Sequence, residues 1–154
     1  MSKPKLRKIQ GGGGGRDAVK MVTDFLNRKG QDSVKFLQHK TSELATWSVP
    51  LSPDEELEIT LEGLKSSVET TLYMGINIIP VPLQKTQEFL TTVLSVADTL
   101  IGAKLSLVNY DVVISTTEYV SSMRGDEIDY IFELLTRQKD CVLDEILETM
   151  SKKR

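Results

Sequence analysis

The sequence contains very few of the residues on which most enzymes and metal sites depend. Among 154 residues there is one histidine, His39, and one cysteine, Cys141. A single cysteine cannot form an internal disulfide, which suits the reducing cytosol, so a cytoplasmic location is expected. One histidine and one cysteine also cannot supply the Cys and His sets that zinc prefers. No cofactor and no metal are therefore predicted.

Long apolar runs are also missing. No stretch approaches the ~20 consecutive apolar residues of a transmembrane helix. The basic residues at the start are followed by glycines instead of the apolar segment of a secretory signal, so no signal peptide is expected. With 40% hydrophobic and 27% charged residues, the composition is typical of a soluble globular protein, and the length fits one domain.

The charges are distributed unevenly along the chain. Residues 1–16 contain five basic residues and no acidic one, and residues 152–154 are all basic. Residues 17–151 contain 11 basic residues against all 22 acidic ones. An acidic body argues against a nucleic-acid-binding face on the domain, because phosphate contacts need clustered Lys and Arg. The basic ends could make weak contacts with nucleic acid or a membrane, but a solubilising role is the simpler interpretation.

Five consecutive glycines occupy residues 11–15, directly before Arg16 and Asp17. A phosphate-binding loop needs Lys-Ser or Lys-Thr after its glycines, and an acid at the following helix would repel phosphate. Asp17 instead suits the first turn of a helix. We therefore interpret the run as a flexible linker on the order of 12 Å long. The predicted organisation is a basic flexible arm over residues 1–15, a single domain over 16–151 and a basic tail over 152–154.

Three segments have the apolar spacing of amphipathic helices. The first covers residues 16–30 and ends at Gly30, the second covers residues 83–102 and the third begins at Asp126. Apolar residues cover more than half the circumference of the second helix, so burial on more than one side is expected.

Short alternating segments between the helices predict strands. Two lie in residues 34–40 and 43–51, and residues 56–63 give the clearest alternation, with Leu57, Ile59 and Leu61 on one face. The next strand begins near Val68, and Gly75 within it is expected to mark a bulge or a bend. Residues 104–120 predict a hairpin that turns at Asn109-Tyr110-Asp111. Strands and helices occur in blocks, which indicates an α+β fold with an antiparallel sheet.

A search for catalytic residues finds no pattern that favours an enzyme. His39 and Cys141 would have to meet in space to form a nucleophilic pair, and no local signature accompanies either of them. Cys141 is instead expected to be a small, partly buried packing residue of the last helix. Carboxylate pairs for acid–base chemistry depend on the fold, so an enzyme that uses carboxylates or a metal stays an open alternative.

From Ile59 onward the sequence resembles the YbjN-type sensory-transduction regulators, which are similar in fold to the type III secretion chaperones. The resemblance rests on the strand ending in IIPVP, the helix QKTQEFLTTVLSVADTL, the hairpin KLSLVNYDVVISTTEYV and the helix DEIDYIFELLTRQKDCVLDEILETM. It implies the element order α-β-β-β-α-β-β-α. It also implies a homodimer that holds an extended segment of a partner polypeptide. Because the search for catalytic residues finds no pattern, we expect a binding protein and not an enzyme.

Such a protein would bind its partner through apolar patches and strand edges. The candidate contact residues are apolar or aromatic, and ordinary core packing is the alternative for each, above all for Trp47. The candidates are Trp47, Leu72, Tyr73, Met74, Tyr119 and Met123. A second hypothesis is a regulatory adaptor whose basic termini contact nucleic acid or a membrane.

Overall fold

The computed structural model describes residues 14–65 and 69–152. The predicted beginning of one strand at Val68, most of the basic arm and the last two residues lie outside these ranges. The helices are α1 (Gly14–Arg28), α2 (Thr86–Ala97) and α3 (Glu127–Lys152). The strands are β1 (Leu37–Lys40), β2 (Leu44–Ser52), β3 (Glu55–Glu62), β4 (Thr71–Pro80), β5 (Lys104–Val108) and β6 (Asp111–Tyr119).

The six strands form one antiparallel sheet in the order β1-β2-β3-β4-β6-β5. The predicted α+β class with an antiparallel sheet is therefore confirmed. The first block holds four strands, whereas the order implied by the family resemblance has three. The additional strand is β1, which has four residues and pairs with β2 through an irregular register between Leu37 and His39. The sheet therefore has two edges, β1 and β5.

The three helices pack against one face of the sheet, with α3 in the centre. Helix α3 contacts β4 and β6, and α1 and α2 both pack against it. The alternation in β3 places Leu57, Ile59 and Leu61 in the core beneath these helices. On the opposite side of β3, Glu56 and Glu58 are exposed. We call this second side of the sheet the open face.

Several details differ from the sequence-based expectations. Helix α1 begins at Gly14, within the glycine run, and ends before Gly30, whose φ of +72° suits a helix stop. The expectation that the second helix is buried on more than one side is wrong, since Leu94 is 71% exposed and only one side of α2 is buried. The irregularity in β4 lies between Asn77 and Ile79 instead of at Gly75. Gly75 pairs regularly with both neighbouring strands.

The β5–β6 hairpin turns where the sequence predicts. Val108 pairs with Asp111, so the loop has two residues, Asn109 and Tyr110, both with positive φ. This is the pattern of a type I′ turn, whose twist matches the twist of the strands that it joins. No helix in the described ranges is long and apolar enough to cross a membrane.

Candidate partner-binding surface

Three of the six predicted contact residues lie in the core. Trp47, Leu72 and Met74 are each at most 1% exposed. The indole Nε1 of Trp47 donates a hydrogen bond to the Ser33 carbonyl oxygen at 3.0 Å, which satisfies its only polar atom. All three point toward the helices, so their apolar area is already buried within the chain. In the folded domain these residues stabilise the core and present no surface to a partner.

The other three predicted residues are at least partly accessible. Tyr119 is 60% exposed and lies at the end of β6, opposite Thr71. Tyr73 is half-buried on the open face, in the outward row of β4. Met123 follows the short 3-10 helix after β6 and packs partly against the core. Tyr73 and Tyr119 are thus the predicted residues that the fold leaves available on the open face.

The position of Tyr73 depends on the glycine two residues later. A Cβ atom at Gly75 would lie 2.9 Å from the Tyr73 Cζ atom, closer than real Cβ contacts occur. The end of the Tyr73 ring therefore occupies the space above Gly75 where a side chain would otherwise stand. The sequence predicts a bulge or a bend at Gly75, because an isolated glycine in a strand signals either a bulge or a close approach by another group.

Beside Tyr73 the open face contains a cavity of about 270 Å³, which we call the acidic groove. It crosses β3, β4 and the β5–β6 hairpin, with Gly75 and Asn77 among its lining residues. Asn77 fixes one end, since its side chain accepts a hydrogen bond from the Glu56 amide at 2.7 Å and donates one to the Asp54 carbonyl oxygen at 3.0 Å. The chemical character of the acidic groove is determined by the side chains of Glu56, Glu58, Tyr73, Val108, Asp111 and Val113.

The groove is negatively charged. Within residues 14–65 and 69–152, neither Glu58 nor Asp111 forms an ion pair, and Glu56 accepts a hydrogen bond from the Ser48 hydroxyl. Burial raises the pKa of Tyr73, and the Glu58 carboxylate raises that pKa further, although the Ser115 side chain acts in the opposite direction. The Tyr73 phenol is therefore neutral at physiological pH. The groove offers carboxylates, a neutral aromatic ring and two valines.

A second surface with unusual character surrounds α2 and the β5–β6 hairpin. Helix α2 lies against β5, and the segment from residue 83 to residue 110 carries a series of exposed apolar side chains. Their exposed fractions range from 53% for Leu107 to 100% for Leu83. We call this set the α2 surface. It consists of Leu83, Leu94, Ile101, Leu107 and Tyr110.

The residues considered for catalysis lie apart from these surfaces. His39 is exposed on the edge strand β1. Cys141 is exposed on α3, so the expectation that it is partly buried is wrong. The helix turns it away from the sheet, while its neighbour Val142 faces the core. Among the residues described, no group of three or more His, Cys, Asp or Glu side chains is placed to hold a metal ion.

No protein-family model and no curated protein matches this chain. Solved structures with similar folds do exist. A chain of the ExsC–ExsE complex matches with a TM-score of 0.59 at 7% identity, over 84% of this chain and 92% of that chain. An uncharacterized protein from Methanothermobacter thermautotrophicus matches with a TM-score of 0.58 at 14% identity, over 84% and 96%. A chain of the HopA1–SchA chaperone–effector complex matches with a TM-score of 0.50 at 11% identity, over 81% and 91%.

At these identities the likeness concerns the fold alone. It confirms that the α+β fold of this chain also occurs in chains of the ExsC–ExsE complex and of a chaperone–effector complex. The name YbjN stays a prediction, since no family model supports it.

Proposed function

We propose that this chain is a non-enzymatic, chaperone-like module that forms a homodimer and holds an extended segment of a partner protein. The fold supports the binding role, because chains of the same architecture occur in the ExsC–ExsE complex and in a chaperone–effector complex. The proposal for this chain rests on its own surfaces, which differ in chemistry and so suit different occupants.

The α2 surface is the observation that carries the proposal. Leu94 on α2 and Leu107 on β5 are 71% and 53% exposed, although large apolar side chains usually lie in the core. A series of such side chains within one supersecondary unit marks an interaction site in a soluble protein. A second copy could cover the same residues by a two-fold arrangement, in which one patch packs against itself. We assign the α2 surface to the homodimer.

The sheet edges suit the extended partner. Edge strands expose unpaired backbone N–H and C=O groups, and an extended peptide can add to such an edge as a further strand. Strand β1 is short, irregular and carries His39 and Lys40, features that discourage pairing. Strand β5 has five residues with regular pairing to β6, so its free edge is the better acceptor. Tyr73 and Tyr119 on the open face are further candidate contacts.

The dimer is tested by measuring the molar mass of the full chain by light scattering after size-exclusion chromatography. The substitution Leu94→Glu places a charge in the middle of the α2 surface and should convert the dimer to a monomer. Ser95→Glu is the matched control, since Ser95 is exposed on the neighbouring side of the same helix and should leave the dimer intact. A wild-type chain that is monomeric at all concentrations would refute the dimer.

Partner binding is tested separately with an array of unfolded peptides, probed with wild-type and Leu94→Glu protein. Binding of a subset of peptides by both proteins supports the module, because strand addition uses the backbone of β5 and does not need the Leu94 side chain. A chain that retains no peptide would contradict the binding role and leave the dimer result unaffected.

A further inference from the structure

The acidic groove lacks a positively charged partner in the described structure, and the same chain contains a basic segment outside it. The register places Glu56, Glu58 and Asp111 on the open face. On the same face, the described strands carry one lysine, Lys104 of β5. Residues 1–13, which precede the described structure, contain four basic residues and no acidic one. Opposite charges within one molecule attract each other over roughly one Debye length, about 8 Å at physiological salt.

We propose that residues 1–13 of this chain dock on its own open face, with a lysine or arginine side chain in the acidic groove. The spacing of the basic residues fits a sheet surface. Lys3, Lys5 and Arg7 occupy alternate positions, and in an extended chain alternate side chains point to the same side. Pro4 favours an extended backbone at the residue before it. An extended segment would therefore present its three cations to the carboxylates together.

The groove has the size and the lining for one long cationic side chain. Ligand pockets for small molecules usually measure about 300–1,000 Å³, and the groove, at about 270 Å³, lies below this range. Val108 and Val113 can cover the methylene groups of a lysine or an arginine. The carboxylates of Glu58 and Asp111 can bind the charged end, and the Tyr73 ring offers a face for a cation–π contact.

The length of the segment allows the contact. Lys3 lies 11 residues before Gly14, so the chain between them spans at most about 38 Å when fully extended. Six strands at about 4.8 Å spacing make a sheet roughly 29 Å wide. A segment that starts at α1, on the helix side, can therefore pass around the sheet and reach the groove.

This contact would have a consequence for binding, because the docked segment covers Tyr73. A partner that uses the open face must then displace it, so the basic segment acts as an internal competitor. The inference itself does not depend on the proposed function, since it concerns only this chain.

The experiment attaches a nitroxide spin label to the full chain at Ser2→Cys, with Cys141→Ser so that only one thiol reacts. Amide signals are recorded by NMR in the oxidised and reduced states of the label. We expect selective loss of the signals of Glu58, Gly75, Asn77 and Asp111. The loss should disappear at about 1 M salt, where the Debye length is ~3 Å.

Two double variants of the same labelled chain test the groove directly. Glu58→Gln with Asp111→Asn should abolish the selective signal loss. Asp144→Asn with Glu145→Gln removes the same two charges from exposed positions on α3 and should preserve it. Mixing labelled chain with unlabelled, isotope-enriched chain shows whether the contact forms within one molecule.

Three outcomes would overturn the proposal. They are uniform weak broadening, broadening centred on another surface, and groove broadening of the unlabelled, isotope-enriched chain in the mixed sample. The last would assign the contact to a second copy. Failure in any of these forms leaves the light-scattering and peptide tests of the proposed function unaffected.

Discussion

At the turn between β5 and β6, Asn109 and Tyr110 have φ values of 51° and 67°. Asparagine tolerates this left-handed region, but tyrosine is strained there by about 1–2 kcal/mol. The Tyr110 side chain is 85% exposed and gains little from packing in return. The sequence predicted the position of this turn through its polar residues, whereas the strained tyrosine at its second position carries no signal in composition or periodicity.

The first prediction concerns this strain. Tyr110→Gly should raise the free energy of unfolding by about 0.5 kcal/mol, since relief of the strain exceeds the entropy that glycine adds to the unfolded chain. Tyr110→Ala removes the same ring but keeps a Cβ at positive φ, so it should give no gain. Urea denaturation of the three proteins measures the difference. Equal stability of the Gly and Ala variants would contradict the account.

The second prediction concerns the pair that shapes the groove. Gly75→Ala should destabilise the fold by about 0.5–1.5 kcal/mol, because the new methyl group overlaps the end of the Tyr73 ring and forces this half-buried side chain out of its rotamer. In the background of Tyr73→Ala the same substitution should cost much less, since the overlapping ring is gone. A double-mutant cycle by urea denaturation gives the coupling. Additive effects of the two substitutions would show that the ring does not lie against Gly75.

At the scale of elements, an ion pair links helix α3 to strand β3 of the sheet. Lys139 is 6% exposed among the core residues of α3, and its Nζ donates a hydrogen bond to the Glu55 carboxylate at the start of β3. A second carboxylate, that of Asp140, lies 3.4 Å from the same nitrogen. The apolar spacing of α3 places position 139 on the buried side, between Leu135 and Val142, but it does not show which carboxylate faces the lysine there.

The third prediction follows from this pair. Glu55→Gln should cost about 1–3 kcal/mol of stability, because among the described residues it leaves the buried ammonium group with Asp140 alone as a counter-ion. Lys139→Met should cost less, since it removes the buried charge together with the need for a partner. Glu62→Gln, at an exposed position of the same strand, is the control and should be near neutral. Chemical denaturation measures the free energy of unfolding of the three variants. Greater loss in Lys139→Met than in Glu55→Gln would contradict the account.

The same pair predicts how stability depends on alkaline pH. Burial lowers the pKa of Lys139, but the hydrogen bond and charge of the Glu55 carboxylate, together with the Asp140 carboxylate, outweigh burial and raise this pKa above its ordinary value. The pair therefore stabilises the fold fully below the ordinary lysine pKa of about 10.4, and this contribution is lost as pH rises through the folded-state pKa. Lys139→Met should unfold less steeply above that pH than the wild type. Identical alkaline profiles by circular dichroism would refute this linkage.

Elements with long, regular patterns were predictable from the sequence, whereas the surfaces were not. The alternation of β3 and the apolar stripe of α3 report burial directly, because one face of each must meet the core. Helix α2 shows where this reasoning fails. The apolar residues of the predicted helix, residues 83–102, indicate burial on several sides. In the structure, Leu94 on α2 and Leu83 before it are exposed. An apolar side chain gains stability when it is buried. Periodicity alone does not show whether it is buried by its own chain or by a partner.

The predicted contact residues show the same limit. Leu72 and Met74 alternate with Tyr73, so one pattern placed them on one face and the tyrosine on the other. Which of the two faces is covered depends on where the helices pack, a property of the tertiary fold. The acidic groove arises where β3, β4 and the β5–β6 hairpin meet, and its residues come from positions 56 to 113 of the chain. No local pattern could bring them together.

At the scale of the whole molecule, the chain has three surfaces of different chemistry. The α2 surface is apolar, the open face is acidic around Tyr73, and the outer edge of β5 carries unpaired backbone groups. The net charge of −3 hides the separation between a basic N-terminal segment and an acidic body. Any attraction between these two parts of the chain is expected to weaken as salt concentration rises, since salt screens exposed charges.

The most direct test of the central claim combines partner capture with hydrogen exchange. The full chain is purified from its source cell at low salt, a stoichiometric protein partner is identified by mass spectrometry, and exchange is compared with and without that partner. The account predicts a partner bound through a segment that is extended when free, with new protection of the amides of β5. Recovery of the chain without any stoichiometric partner, or a partner whose binding leaves β5, β1 and the open face unprotected, would contradict it.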